Sequence, residues 1–193
     1  MGNQVFNNLS GKILIASPYT LYSDVFHKSL IYILSHTEDG ASGLIVNHLM
    51  SRMPLKSLFS TINDEKNTNN INDMVLSIYL GGPIELEKGF FLHSDEYDKN
   101  LLFKFQNNIA ISSNTDILKD IAAGRGPKHS LFIVGYTSWA PGQLEFELEN
   151  NFWIVSECNP ELIFSEVNDQ KWTIALKNLG IEDAHFTAKL GHC

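Results

Sequence analysis

With 193 residues, 44% of them hydrophobic and 19% charged, the chain has the size and composition of one compact domain, which excludes a wholly disordered polymer. The net charge is -8 and only two arginines, Arg52 and Arg125, accompany the lysines, so no concentrated positive potential is present to gather nucleic-acid phosphates. Two cysteines, Cys158 and Cys193, are too few for a disulfide framework and point to a reducing compartment; no apolar run approaches the roughly 20 residues needed to span a bilayer.

The start, MGNQVFNN, has no basic and apolar leader pattern, which together with the cysteine usage predicts a cytoplasmic protein without a membrane partner. Lys12 to Ala16 is a short apolar run ended by Ser17-Pro18 and reads as a buried strand. Ser23-Asp24 is expected to cap a short helix through Lys28. Leu30 to Leu34 and Gly43 to Asn47 are apolar, β-branched runs separated by HTEDGAS, and Asp39-Gly40 predicts a tight hairpin turn between them. Pro54 at a first helical position, followed by Leu55, Leu58 and Phe59, predicts one or two turns of amphipathic helix. Asn63 to Asp73, NDEKNTNNIND, has almost no apolar side chain and reads as a solvated loop inside the same domain.

Leu76 to Leu80 and Gly89 to His93 read as strands expected to pair around PIELEK, and Asn107-Asn108 suggests a hairpin within Phe103 to Ser112. Asn114 to Ala123 has an N-cap candidate in Asn114, an inward stripe of Ile117, Leu118 and Ile121, and a stop at Gly124 and Pro127, which predicts a helix. Leu131 to Tyr136 is a buried strand leading into GYTSWAPGQLEFELENNFWIV, the richest stretch of the chain. There Leu144, Phe146 and Leu148 alternate with glutamates like a strand. The Leu, Glu and Gln content, with Pro141 before it and Asn150-Asn151 after it, instead predicts a helix that buries Leu144 and Leu148 and leaves Phe146 facing away. After Val155, SECNPELIF carries a proline-initiated turn. Gln170 to Leu179 is a last helix with Trp172, Ala175, Leu176 and Leu179 inward and Gly180 as its stop, and the tail HFTAKLGHC is expected to fray.

The common nucleophile and phosphate-loop signatures are missing, and the seven histidines show no metal-ligand spacing, so the reading is a non-enzyme with no cofactor and no metal. His36 and His93 each lie at a predicted strand end, where they either flank one cleft or bond separately to backbone, the latter being the commoner arrangement. Trp139 serves packing before it serves a ligand, and Asn47 fastens a turn before it reads one.

The strings LIASP at Leu14, F-x-x-S-x-I-Y at Phe26, H-x-x-x-G-A-x-G-L-I-V-N at His36, YLGGP at Tyr79, GFFLHS at Gly89, GYTSWAPGQLE at Gly135, W-x-x-A-L-x-x-L-G-I at Trp172 and the terminal GHC follow one another along nearly the whole chain. In that order they resemble the YqgE/AlgH family of bacterial proteins. The resemblance implies an α+β fold, a single domain with a bent, mixed, largely antiparallel sheet flanked by helices. It also favours the helix after GQLE. Two positions depart from the family pattern: His48 stands where Arg or Lys is usual, which removes a cation from that turn, and Pro141 stands where a small residue is common.

About function the resemblance implies little. One branch of the family carries a transcription-regulator label from a role in exopolysaccharide production. For this acidic chain that implies regulation through a protein partner, with no direct nucleic-acid contact. The family strings gather at strand ends and turns, where ligand-contacting residues tend to sit. The expectation is therefore a binding or interaction protein with an unidentified protein or small-molecule partner, its surface formed by Asn47, Gly82, His93, Trp139 and Gln143.

Overall fold

The structure, a computed structural model, describes residues 8–18, 24–61 and 74–181. The loop expected at Asn63 to Asp73, the cap at Ser23 and the tail after Glu182 lie outside the described residues. Asp24 to Lys28 is a turn in which Lys28 adopts φ 52°, so the short helix expected there does not form.

Among the described residues ten strands make one curled, largely antiparallel sheet, a half-barrel flanked by helices. They are β1 (Ile13–Ala16), β2 (Leu30–Thr37), β3 (Gly40–Ile45), β4 (Leu49–Pro54), β5 (Val75–Leu80), β6 (Ile84–Ser94), β7 (Leu101–Lys104), β8 (Ile109–Ser112), β9 (Ser130–Trp139) and β10 (Trp153–Ser156). The order is β10-β1-β2-β3-β9-β6-β8-β7, and β4 and β5 branch off through a parallel pairing of β5 with β9. The first hairpin forms, but its turn is Glu38-Asp39 and not the expected Asp39-Gly40: Gly40, at φ 121°, already stands in β3 opposite Thr37. The hairpin around Asn107-Asn108 also forms, Asn108 supplying φ 61°.

Two expectations fail for identifiable reasons. β5 does not pair with β6: after Pro83, IELEK is the bulged first part of β6, which pairs with β9, while β5 runs between β4 and β9. Pro54 closes strand β4 and does not open a helix. The helix α1 (Leu55–Thr61) starts one residue later.

β9 is the hub. One of its edges pairs with β5 over Phe132 to Val134 and with β3 over Thr137 to Trp139, and the other pairs with β6. The change of partner falls at Gly135, whose φ of 70° bends the strand. The end of β5 crosses this bend through Gly81-Gly82. A Cβ at Gly82, φ 154°, would stand 2.2 Å from the Tyr136 carbonyl oxygen, so the YLGGP and GYTSW strings are two sides of one close backbone crossing.

The remaining helices are α2 (Asp116–Ala122), α3 (Gln143–Glu149), α4 (Pro160–Phe164) and α5 (Lys171–Asn178). They close three cores. Tyr32, Leu44, Ile133, Trp172 and Leu176 lie between the sheet and α4–α5. Trp139, Leu144 and Trp153 lie beneath α3, and Leu55, Phe91, Ile117 and Leu118 lie beneath α1 and α2. The helix reading of α3 holds: Leu144 is buried and Phe146 is 59% exposed. Leu179, expected inside, is 40% exposed, because α5 ends before it.

Candidate functional site

Gln143 opens α3, and its Oε1 accepts the Ala140 N–H at 3.0 Å while its Nε2 donates to Glu147 Oε1 at 2.9 Å, one helical turn on. The other oxygen of Glu147 accepts two indole N–H groups, from Trp139 at 2.7 Å and Trp153 at 2.6 Å. The two indoles meet edge to face at 6.1 Å. A carboxylate that accepts three side-chain donors from three segments is a clamp: it ties α3 to the ends of β9 and β10. Beside it, the buried His36 accepts the Leu9 N–H at Nδ1 (3.2 Å), which puts its ring proton on Nε2, and Nε2 donates to Glu145 Oε1 at 2.8 Å. The acidic face of α3 is thus spent on holding the helix down.

Of the five residues expected to share a surface, only Trp139 and Gln143 come together. Asn47 lies beyond the other end of β3 from Trp139, buried, with Oδ1 accepting the Leu30 N–H at 2.7 Å and Nδ2 donating to the Lys28 carbonyl at 2.9 Å. It fastens the Lys28 turn onto the sheet. Gly82 is buried against Tyr136 at the backbone crossing. His93 is fully buried opposite Ser130, nine residues and up to about 30 Å of strand from Trp139. Its Nδ1–H donates to the Ser94 carbonyl at 2.9 Å and its Nε2 accepts from Ser112 Oγ at 3.0 Å; burial pushes its pKa below the ordinary imidazole value. His36 and His93 flank no common cleft, since they sit at the far ends of different strand pairs.

Two larger clefts among the described residues lie elsewhere. A cleft of about 930 Å³ opens between the starts of β5 and β9, the end of α2 and the α4–α5 connection. Its walls carry Arg52, Lys128 and His129, hydroxyls of Ser77, Ser130 and Ser165, and the apolar faces of Tyr79, Leu131 and Phe164. A second cleft of about 600 Å³ adjoins it and shares His129, Phe164 and Ser165; its outer walls carry Asp95, Glu96 and Glu161. His129 and Phe164 stack at 5.8 Å and 19° on the divide. The Lys128 N–H donates to Glu96 Oε1 at 2.6 Å and the His129 N–H to Ser94 Oγ at 3.0 Å, which fixes the divide to the end of β6. Partial burial acts to raise the Glu96 pKa, but the Lys128 N–H and the Ser94 hydroxyl outweigh it and hold the carboxyl below its usual range. The family strings touch these clefts only at Tyr79 and Ser94, because six separate segments line them.

Behind the larger cleft, Lys171 is fully buried at the start of α5. Its Nζ donates to the carbonyls of Ile163 (2.6 Å) and Val46 (3.2 Å) and lies 5.5 Å from the centre of the Tyr79 ring. Burial lowers its pKa to about 8. These contacts join the end of α4 to the end of β3, and nothing in the local sequence distinguished Lys171 from an exposed helix lysine. Among the described residues no group of three His, Cys, Asp or Glu side chains is placed to hold a metal, and no helix is long and apolar enough to cross a membrane.

Comparison with known proteins follows the same outline. The AlgH-like family model matches residues 13–184. A UPF0301 protein of Rickettsia felis and one of Rickettsia conorii are each 56% identical over 192 residues, covering 100% of both chains. The solution structure of the AlgH protein from Pseudomonas aeruginosa is similar with a TM-score of 0.73 and 29% identity, covering 100% of each chain. A Corynebacterium diphtheriae protein shares the fold alone, with a TM-score of 0.69 at 20% identity, covering 89% of this chain and 87% of its own. With a family match from near the first strand to beyond the last helix and relatives above half identity along the full length, the chain belongs to the AlgH-like family.

Proposed function

We propose that the chain is a non-enzymatic, cytoplasmic binding protein whose ligand or partner seats in the cleft walled by Arg52, Lys128, His129 and Phe164. The observation that carries this reading is the cleft itself. At about 930 Å³ it falls in the range of roughly 300–1,000 Å³ typical of ligand sites, and it combines apolar walls with a few polar groups. Among the described residues Arg52 has no ion-pair partner, so a cation stands available at its rim. By contrast, four of the five residues expected from the sequence are buried in fastening roles, and the exposed Gln143 is held by Glu147.

A regulatory role, in this reading, works through the same cleft by recruiting a protein partner. The net charge of -8 opposes direct DNA contact. The test is mass spectrometry of the small molecules and proteins that co-purify with the wild-type chain and with Arg52→Glu/Lys128→Glu. A species held by the wild type and lost from the variant supports the reading. The same set held by both, or nothing held by either, contradicts it.

A further inference from the structure

The two clefts differ in sign. The larger has Arg52 and Lys128 against a single acid, Glu166, whereas the smaller has Asp95, Glu96 and Glu161. Asp95 is already paired with Lys104 at 3.0 Å, which leaves Glu96 and the exposed Glu161 to set the smaller cleft's potential. Between them the His129–Phe164 stack presents an aromatic face to both sides. Together the clefts exceed the roughly 1,000 Å³ upper range of small-molecule sites, and they adjoin at His129, Phe164 and Ser165.

We propose that the two clefts form one charge-polarised groove for an extended polypeptide segment. Its acidic side chains lie against Arg52 and Lys128, its basic side chains against Glu96 and Glu161, and an aromatic or large aliphatic side chain between them rests on the His129–Phe164 stack. The proposal rests on the binding reading above and names its class of partner. A nucleic acid fits poorly, because its phosphates would meet the acidic half. A uniformly basic tail, which the net charge of -8 attracts at long range, would meet the cationic half.

The probes are end-capped, fluorescein-labelled heptapeptides measured by anisotropy at 150 mM salt, on the order of an 8 Å screening length. One has two lysines, alanine, phenylalanine, alanine and two glutamates, and a second has the same residues in reverse chain order. The controls carry lysine at both ends or glutamate at both ends, and leucine and tryptophan replace the central phenylalanine in parallel sets. One chain direction of the polarised peptide is expected to bind at least tenfold more tightly than both controls. Arg52→Glu and Glu161→Lys, each verified as folded by circular dichroism, are expected to weaken it at least fivefold. Equal or tighter binding of the all-lysine form, or no binding by any peptide, overturns the proposal. Inorganic phosphate and citrate are titrated separately by amide NMR. If they shift the cleft signals while no peptide does, the polypeptide class fails and the binding reading stands; if neither shifts them, both fail.

Discussion

Replacing Glu147 by alanine strands two indole N–H groups in a place where little else can accept them. Trp139 and Trp153 are 5% and 7% exposed, and both donate to the same carboxylate oxygen, at 2.7 and 2.6 Å. A buried donor left unsatisfied loses about 1–3 kcal/mol. Glu147 itself is half-buried, so water entering the vacated space recovers part of that, and the expected loss is about 2–5 kcal/mol for the pair. At roughly 2–4 °C per kcal/mol for a chain of this size, Tm falls by about 4–20 °C. Glu147→Gln should fall between wild type and alanine. It keeps one oxygen for the indoles, but its amide then faces the Gln143 Nε2 donor unless Gln143 turns and gives up the Ala140 N–H. Urea and thermal denaturation followed by circular dichroism measure these losses. A double-mutant cycle with Trp139→Phe, which removes one donor and leaves a smaller aromatic ring, isolates the coupling, since the packing loss is common to both arms of the cycle. A loss below about 0.5 kcal/mol for Glu147→Ala, or a cycle with no coupling, would refute the clamp.

Two further outcomes follow from the packing. At Lys171 the folded chain releases its proton near pH 8, whereas the unfolded amine keeps it to about pH 10.4. Between those values the unfolded chain binds more protons, so stability rises with pH, and below about pH 8 the penalty for the buried charge is fully present. Wild type should therefore gain about 3 kcal/mol relative to Lys171→Met between pH 8 and 10.5; parallel urea midpoints across that range would count against the buried cation. Gly82→Ala places a methyl 2.2 Å from backbone at φ 154°, where neither the crossing strand nor the dihedral yields, and should destabilise by roughly 2–4 kcal/mol or prevent folding. A variant within 0.5 kcal/mol of wild type by urea denaturation would show that the β5–β9 crossing relaxes.

How much of this was legible in the sequence depended on whether an element carries its own pattern. The β2–β3 hairpin was readable because its apolar runs and turn residues are adjacent, and α3 was readable because helix formers and flanking stops outweighed a strand-like alternation. β4, Leu49–Pro54, was not: five of its six residues are exposed, so it shows no alternation, and its pairing with β5 comes from a distant segment. The β5–β6 misreading has the same origin, since adjacency suggested a pair that the Gly81-Gly82 crossing forbids. β10 carries no strand pattern of its own, because its four residues follow a helix-rich stretch.

At the site, family strings marked residues that hold the fold. Asn47, Gly82, His93 and Trp139 lie where backbone must be fastened or must pass closely, and such positions constrain residue type as strongly as a ligand does. Glu147 carried a readable hint in its i,i+4 spacing from Gln143, but the two indoles reach it only in three dimensions. The clefts carried none, because ordinary exposed Arg, Lys and Glu side chains line them and only the fold brings these together.

Amide NMR of the 15N-labelled chain, titrated with the desalted peptide and small-molecule fraction of a bacterial cell extract, tests the central claim most directly. The cleft account predicts that the signals of Ser77, Gly126, Ser130, Ser165 and Asn168 move together and saturate, and that Arg52→Glu abolishes the shifts. Shifts centred on Gln143 and Trp139, with the cleft signals still, would contradict it.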